Sequence, residues 1–340
     1  MKITIRQADL KSDKALLIAT LGRYLTPSSN EERFRWLYEQ NPHGPARAWL
    51  ALDSTSGATV GASAAFPRKI VVEEGETTAW VLGDFCIADE YRSLGPALQL
   101  QRATLAAVKG VAEAKCCYDF PSRQLTATYS RLGISPVGQM VRLARPLRLD
   151  RKLKELTKFG AIAKPLSWIA NTVIRMTEND TNQLGMKFEI HSGKCGSEFT
   201  QLADSARSRA GVQLRRSAEN LNWRYLQHPF VRYRILTARK AGDLRGYLVL
   251  SSGLEDAHIS EWCAADDETT TALINESVRR LRKTGAITLS TWLLDKDPQS
   301  ELLKQLRFWP RESSPVMVYW PESDSDSQRD WLLMHGDRDS

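Results

Sequence analysis

The chain has few histidines, no cysteine pairs with metal spacing and no long apolar run, and each shortage closes off a class of protein. Its five histidines are scattered. Its five cysteines show neither C-x-x-C spacing nor a histidine partner pattern. A zinc module is therefore excluded, and no metal site is expected. An odd number of cysteines in a chain of 340 residues does not make a disulfide framework. Cys116 and Cys117 fall in an apolar run where cysteine packs as a small hydrophobe, and the usage fits a reducing, cytoplasmic compartment. The most apolar stretch, Phe159 to Ile174, is interrupted by Lys164 and Pro165 and is too short to span a bilayer. The start alternates Ile3 and Ile5 with polar residues, as a strand does, and is no signal peptide. No Lys/Arg-rich arm is present. The 47 basic and 40 acidic residues are dispersed, so the net charge of +7 gives a modest field suited to a small anionic ligand and no nucleic-acid signature.

What is present is the composition of a soluble globular protein, 42% hydrophobic and 26% charged, over a length that suits two domains. The chain is also written twice. Trp36, Tyr38, Gln40 and Pro42 recur at the same spacing as Trp223, Tyr225, Gln227 and Pro229. The run from Asp84 to Glu90 recurs from Glu261 to Asp267. After the first copy stands Arg92-Ser93-Leu94-Gly95-Pro96-Ala97, an R-x-x-G-x-A loop; after the second stands Glu268-Thr269-Thr270-Thr271, without arginine or glycine.

Periodicity predicts the same element order in both halves. In the first, strands over Ile3–Ile5, Trp49–Leu52, Val60–Phe66, Lys69–Glu73, Thr77–Ala88, Cys116–Phe120 and Val137–Leu147 alternate with helices over Asp9–Tyr24, Glu31–Glu39, Gly95–Val108 and Ser122–Leu132. Gly133 closes the last helix. The second half repeats this from Met186 to Trp320. Residues 1–149 and 186–322 are thus expected as two domains, 150–185 as a helical linker and 323–340 as an acidic tail able to order around Trp331, Leu332 and Leu333. An interfacial membrane helix is the alternative for the linker. The aromatics of the repeated W-x-Y helices are expected in the core, with the lining of a substrate cleft as the other reading.

The R-x-x-G-x-A loop follows a strand and opens a helix. Such a turn points backbone N–H groups at one spot, where the helix dipole adds positive charge. Gly95 permits close approach, and Pro96 suits a first helical turn. In this context the loop resembles the pyrophosphate motif of the GCN5-related N-acetyltransferase family, Q/R-x-x-G-x-G/A after the fourth strand. Tyr129-Ser130-Arg131-Leu132-Gly133-Ile134 is similar to the family's Y-x-K/R-x-G-F segment. The resemblance covers residues 1–149 well and 186–322 as a decayed copy. Two departures are Pro96, which removes one amide donor, and Ser122, which stands where the family often has asparagine.

The resemblance implies an α+β fold of two tandem domains of this family. Each is a mixed, mostly antiparallel central sheet flanked by helices, and the second is degenerate. It implies acetyl-CoA or another acyl-CoA as co-substrate and a primary amine of a small molecule or sugar as acceptor. Phe85, Cys86, Ile87, Arg92, Ser93, Leu94, Gly95, Pro96, Ala97 and Ser122 would then hold the acyl-CoA. Asp84 would accept the ammonium proton, a structural carboxylate with a water chain as base being the other reading, and Tyr129 would protonate the leaving thiolate, packing under the cofactor being the other reading. In the second half Leu303 falls where Tyr129 would, so that half is expected to be non-catalytic. A Fem-type transferase using aminoacyl-tRNA, and a non-catalytic acyl-CoA-binding module, are the alternatives. A homodimer is compatible with the sequence.

Overall fold

The computed structural model describes residues 2–109, 114–148, 185–206, 211–253, 255–321 and 329–338. The first half runs β1 (Ile3–Gln7), α1 (Lys14–Tyr24), α2 (Glu31–Phe34) continuing into a π-helical turn (Arg35–Glu39), β2 (Arg47–Asp53), β3 (Thr59–Val72), β4 (Gly75–Ile87), α3 (Leu94–Lys109), β5 (Ala114–Asp119), α4 (Arg123–Arg131) and β6 (Pro136–Pro146). The second runs β7 (Lys187–Ile190), α5 (Ser197–Ser205), β8 (Val212–Leu214), α6 (Ala218–Leu221) with its own π-helical turn (Asn222–Leu226), β9 (Tyr233–Lys240), β10 (Asp243–Ser252), β11 (Asp256–Ala264), α7 (Asp267–Lys283), β12 (Thr288–Leu294), α8 (Gln299–Gln305), β13 (Trp309–Tyr319) and β14 (Trp331–Leu332). The expected mixed, mostly antiparallel sheet flanked by helices is therefore present in each half. The linker expected over 150–185 lies outside the described residues except for Gly185.

The halves share one sheet, ordered β1-β2-β3-β4-β5-β13-β6-β12-β11-β10-β9-β7. This order is a strand exchange. β13 of the second half pairs with β5 of the first, and β6 of the first pairs with β12 of the second. β6 and β13 pair with each other in the middle. Neither half completes its sheet alone.

The period-2 alternation of strands sorts side chains onto two faces. Along β4, Ala79 and Val81 face Leu17, Leu21, Phe34 and Leu37 of the first two helices, while Trp80 and Leu82 face Leu100 and Leu105 of α3. The second half repeats the arrangement. Leu236 and Leu248 pack on Leu273, Ile274 and Val278 of α7, and Ile235 and Val249 pack on Phe199, Leu202 and Tyr225.

The repeated tryptophans join the halves. Trp36 and Trp223 stack with centroids 5.1 Å apart, and each indole N–H donates to the other's backbone carbonyl at 2.9 Å. Trp36, Tyr38, Trp223 and Tyr225 are all buried, as core residues would be. The acidic stretch near the carboxyl end is likewise woven in over residues 329–338. Trp331 is buried and β14 pairs with β8, Arg329 pairs with Glu74, and the Asp337 carbonyl accepts from the Tyr118 hydroxyl. Gly336 is required there, because a Cβ would overlap the Tyr225 hydroxyl.

Candidate active site

Pairing between β4 and β5 extends only from Thr78↔Ala114 to Val81↔Tyr118. Beyond it the strands diverge, β5 turning to β13, and the tail of β4 borders a cleft of about 460 Å³. The cleft gathers Phe85, Cys86 and Ile87 from β4, Arg92, Ser93 and Ala97 from the loop and first turn of α3, and Ser122 with Leu125 and Thr128 from α4. Seven of the twelve residues singled out from sequence thus meet in one place. Leu94, Gly95 and Pro96 form the first turn of α3, and Gly95 and Pro96 do not line the cleft. A Cβ on Gly95 would meet nothing within 4 Å, so the backbone there is open to approach.

The electrostatics favour an anion at this helix start. The first turn of α3 carries no acid. Arg92 pairs with Asp89 at 2.9 Å and donates from Nε to the Ile87 carbonyl at 3.3 Å, with about half of its side chain exposed. Ser122 caps α4, its hydroxyl accepting from the Leu125 N–H at 3.3 Å. Burial pushes the Cys86 thiol up to about 12, so it holds no thiolate at neutral pH and serves by packing.

Asp84 sits at a bulge. Ala62 pairs with Cys86 but Ala64 with Gly83, so β4 carries one extra residue there. Asp84 adopts φ 49°, a left-handed conformation that aspartate tolerates better than most residues. Its buried carboxylate accepts two hydrogen bonds from Arg33 at 2.7 Å each and one from Tyr38 at 2.7 Å. The carboxylate therefore ties the π-helical turn to the sheet. Asp84 is not among the cleft residues.

Tyr129 lies behind the cleft wall formed by Leu125 and Thr128. Its hydroxyl donates to Asp119 at 2.5 Å and accepts from Gln101 at 2.8 Å. Burial, with Asp119 adding repulsion, holds the phenol well above its usual range, so it keeps its proton. Sequence reading missed Arg33, Gln101 and Asp119, and also Tyr24 and Leu25, which border the cleft. Asp119 did carry a signal: it is the one carboxylate in the apolar run from Cys116 to Phe120.

The second half provides an internal comparison. β11 and β12 pair from Asp256↔Thr288 to Ile259↔Thr291 and then diverge around a cleft of about 350 Å³. A bulge again falls beside the acid, between Val249↔Glu261 and Leu250↔Ile259. Glu261 accepts from Tyr225 at 2.7 Å and from Tyr247 at 2.9 Å. The start of α7 differs from that of α3. Asp266 caps it, accepting from the Thr269 N–H at 2.7 Å and hydroxyl at 2.5 Å, and Asp267 and Glu268 fill the first turn. The chain's own carboxylate thus occupies the N-terminus of α7. Leu303 is fully buried on α8. Among the described residues, no three His, Cys, Asp or Glu side chains form a group able to hold a metal ion, and no helix is long and apolar enough to cross a membrane.

A sheet splayed at a bulge, with a helix start and a second helix closing the gap, is the fold of the GCN5-related N-acetyltransferases. The chain superposes on such a protein from Anabaena variabilis with a TM-score of 0.69 at 13% identity, covering 94% of this chain and 73% of that one. A GCN5-related N-acetyltransferase from Kribbella flavida matches with a TM-score of 0.62 at 14% identity, covering 94% and 71%. Saccharomyces cerevisiae N-myristoyltransferase with bound myristoyl-CoA matches with a TM-score of 0.58 at 12% identity, covering 93% and 78%. No family model and no curated protein matches the chain.

Proposed function

We propose that the chain transfers an acyl group from an acyl-coenzyme A to a primary amine of a small molecule or sugar, using the cleft of the first half. The observation that carries this is the contrast between two clefts of one design. The first presents an acid-free helix start beside Arg92, whereas the second is filled by Asp266. The three solved structures named above are acyltransferases, one with myristoyl-CoA bound, which supports the same class of donor.

In this reading the turn Arg92–Ala97 receives the pyrophosphate through backbone N–H groups and the α3 dipole. Pro96 contributes none, and the N–H groups of Arg92, Ser93 and Ala97 already donate to the carbonyls of Asp89, Tyr91 and Ser93, so the Gly95 N–H and the Arg92 guanidinium carry more of the binding. The tail of β4, Phe85 to Ile87, offers backbone groups to the pantetheine and the thioester carbonyl, and Ser122 closes the far side. The thioester supplies an activated carbonyl and a thiolate leaving group. Tyr129 remains the candidate to protonate that thiolate, with Gln101 orienting its oxygen. To act, its hydroxyl must exchange Asp119 for the sulfur. We assign Asp84 as an anchor rather than a base. Its carboxylate is committed to Arg33 and Tyr38, and the second half repeats the acid–tyrosine bond where the loop is absent. The acceptor's proton then leaves to solvent. The second half, degenerate in this reading, supports the first through the exchanged strands.

One observation favours a second reading. Both proton-transfer candidates are already hydrogen-bonded within the protein, as in a module that binds acyl-CoA without turning it over. Calorimetric titration with acetyl-CoA and assay of amine-dependent thiol release separate the cases. Saturable binding with release over a panel of amines and amino sugars supports transfer. Binding without release supports the module, and absence of binding removes both.

A further inference from the structure

The cleft of the second half has a chemistry of its own. β4 runs parallel to β5 and β11 parallel to β12, while β13 and β6 separate them by three antiparallel steps, so β4 and β11 point in opposite directions. The two clefts therefore open at opposite edges of the shared sheet. Asp266, Asp267 and Asp297 face the second cleft together with Arg215 and Arg216. Both arginines are committed, Arg215 to Asp204 and Glu76, and Arg216 to Asp337. Asp266 caps α7 and meets Arg245, and Asp267 accepts from the Gln299 side-chain amide at 2.9 Å.

Asp297 is the charge left over. It is 95% buried, as its relative exposure of 5% shows, and no lysine or arginine pairs with it among the described residues. The hydrogen bond it accepts comes from the Gln299 backbone N–H at 2.9 Å. Beside it the Gln299 side-chain carbonyl is buried without a donor, and the bond from Nε2 to Asp267 fixes that amide's orientation. The Arg216 Nε–H also lacks a partner, but Glu261 stands 3.9 Å away and balances its charge. Two buried acceptors thus await N–H donors and a positive charge. An anion would instead meet the acids of the first turn of α7. Trp262 and Met334 supply an apolar wall.

We propose that this cleft binds a small organic ammonium ion, its N–H groups on Asp297 and Gln299 and its aliphatic or aromatic body against Trp262 and Met334. The site is independent of acyl transfer in the first half. Calorimetric titration of the full chain at neutral pH with 2-phenylethylamine and with 1,5-diaminopentane tests it, with 2-phenylethanol as the neutral counterpart. At least one amine is expected to saturate a single site, and the alcohol is not. The amine should move the Trp262 indole N–H signal, assigned by its loss in Trp262→Phe. Asp297→Asn keeps the oxygen that accepts from Gln299 and should weaken the amine about tenfold or more; Gln299→Leu, which removes the other acceptor, should weaken it as well. Acetyl-CoA binding should be unchanged in Asp297→Asn, so each reading stands or falls alone. No saturable binding of either amine, equal binding of the alcohol, or indifference to both substitutions would overturn the proposal.

Discussion

At the end of β4 a helix begins with a glycine and no acid in its first turn, beside an arginine. At the end of β11 a helix begins under an aspartate cap, followed by two more acids. The strands, the bulges and the tyrosine bonds to the bulge acids are otherwise held in common. Features present in both halves answer to the fold, which must pin a π-helical turn to a kinked strand. Features present in one answer to chemistry. By this test Asp84 belongs with the architecture, and the proposed acyl transfer rests on Arg92, Gly95 and Tyr129.

The largest expected effect concerns the two bulge acids. Asp84→Asn removes the charge that both guanidinium N–H groups of Arg33 meet, and loss of one partner of such a buried pair costs about 3–5 kcal/mol. Glu261 is already pushed toward its neutral form by burial, and Arg216 lies nearer to Asp337. Glu261→Gln should therefore cost only about 1 kcal/mol. Urea unfolding of both variants measures the difference. Equal costs would show that the two acids are held alike, and a stable but inactive Asp84→Asn would return Asp84 to catalysis.

Tyr129→Phe comes next. If the phenol protonates the thiolate, turnover should fall by about 100-fold or more, with acetyl-CoA affinity changed little. Unchanged turnover would make Tyr129 a core residue holding Asp119, the role that Leu303 fills by packing alone.

The comparison can also be broken by design. Ser93 and Pro96 precede and enter α3 as Asp266 and Thr269 do α7. Ser93→Asp with Pro96→Thr should transplant the cap, leave the fold at least as stable, and weaken acetyl-CoA about 100-fold by placing a carboxylate where the proposed function puts the pyrophosphate. Retained affinity in calorimetry would move the phosphate site elsewhere.

A smaller effect depends on pH. Burial raises Asp297 to about 6, above the roughly 3.9 of an unfolded aspartate. Between those values the folded chain holds a proton that the unfolded chain has released. Stability is thus fully present below about pH 4 and is lost as pH rises through about 6, by on the order of 3 kcal/mol. Asp337 and Arg216 act on the same carboxyl in opposite senses. Asp297→Asn should remove this dependence, so the variant should melt higher than the parent at pH 7.5 and alike at pH 4. A bound ammonium ion should remove it in the parent too.

Much of this contrast could be read from the sequence, because local chemistry writes it. The glycine loop, the strand before it and the helix after it are contiguous, and the duplication marked which copy kept them. Helix ends were also legible. The expected Gly95–Val108 and Ser122–Leu132 helices lie within a few residues of α3 and α4. Long-range pairing was not. The repeated order ends at Trp320 on a strand expected to close the second half's own sheet, yet β13 crosses into the first half, a choice of partner that alternation alone does not encode. Asp84 shows the same limit. Its place at the start of the repeated run is local, but its arginine lies 51 residues away on another element.

The smallest effect tests whether the cap alone separates the halves. Asp266→Ala deletes the acceptor for the Thr269 N–H, a loss of about 1 kcal/mol by the usual cost of an N-cap. Exposing that N–H does not make a phosphate site. Asp267 and Glu268 remain in the first turn, no glycine opens the backbone, and Arg245 loses the carboxylate it now meets. The variant should therefore unfold at slightly lower urea and still show one acetyl-CoA per chain in calorimetry. A second equivalent of bound acetyl-CoA would mean that Asp266 by itself keeps the second cleft shut, and that the acids behind it count for little.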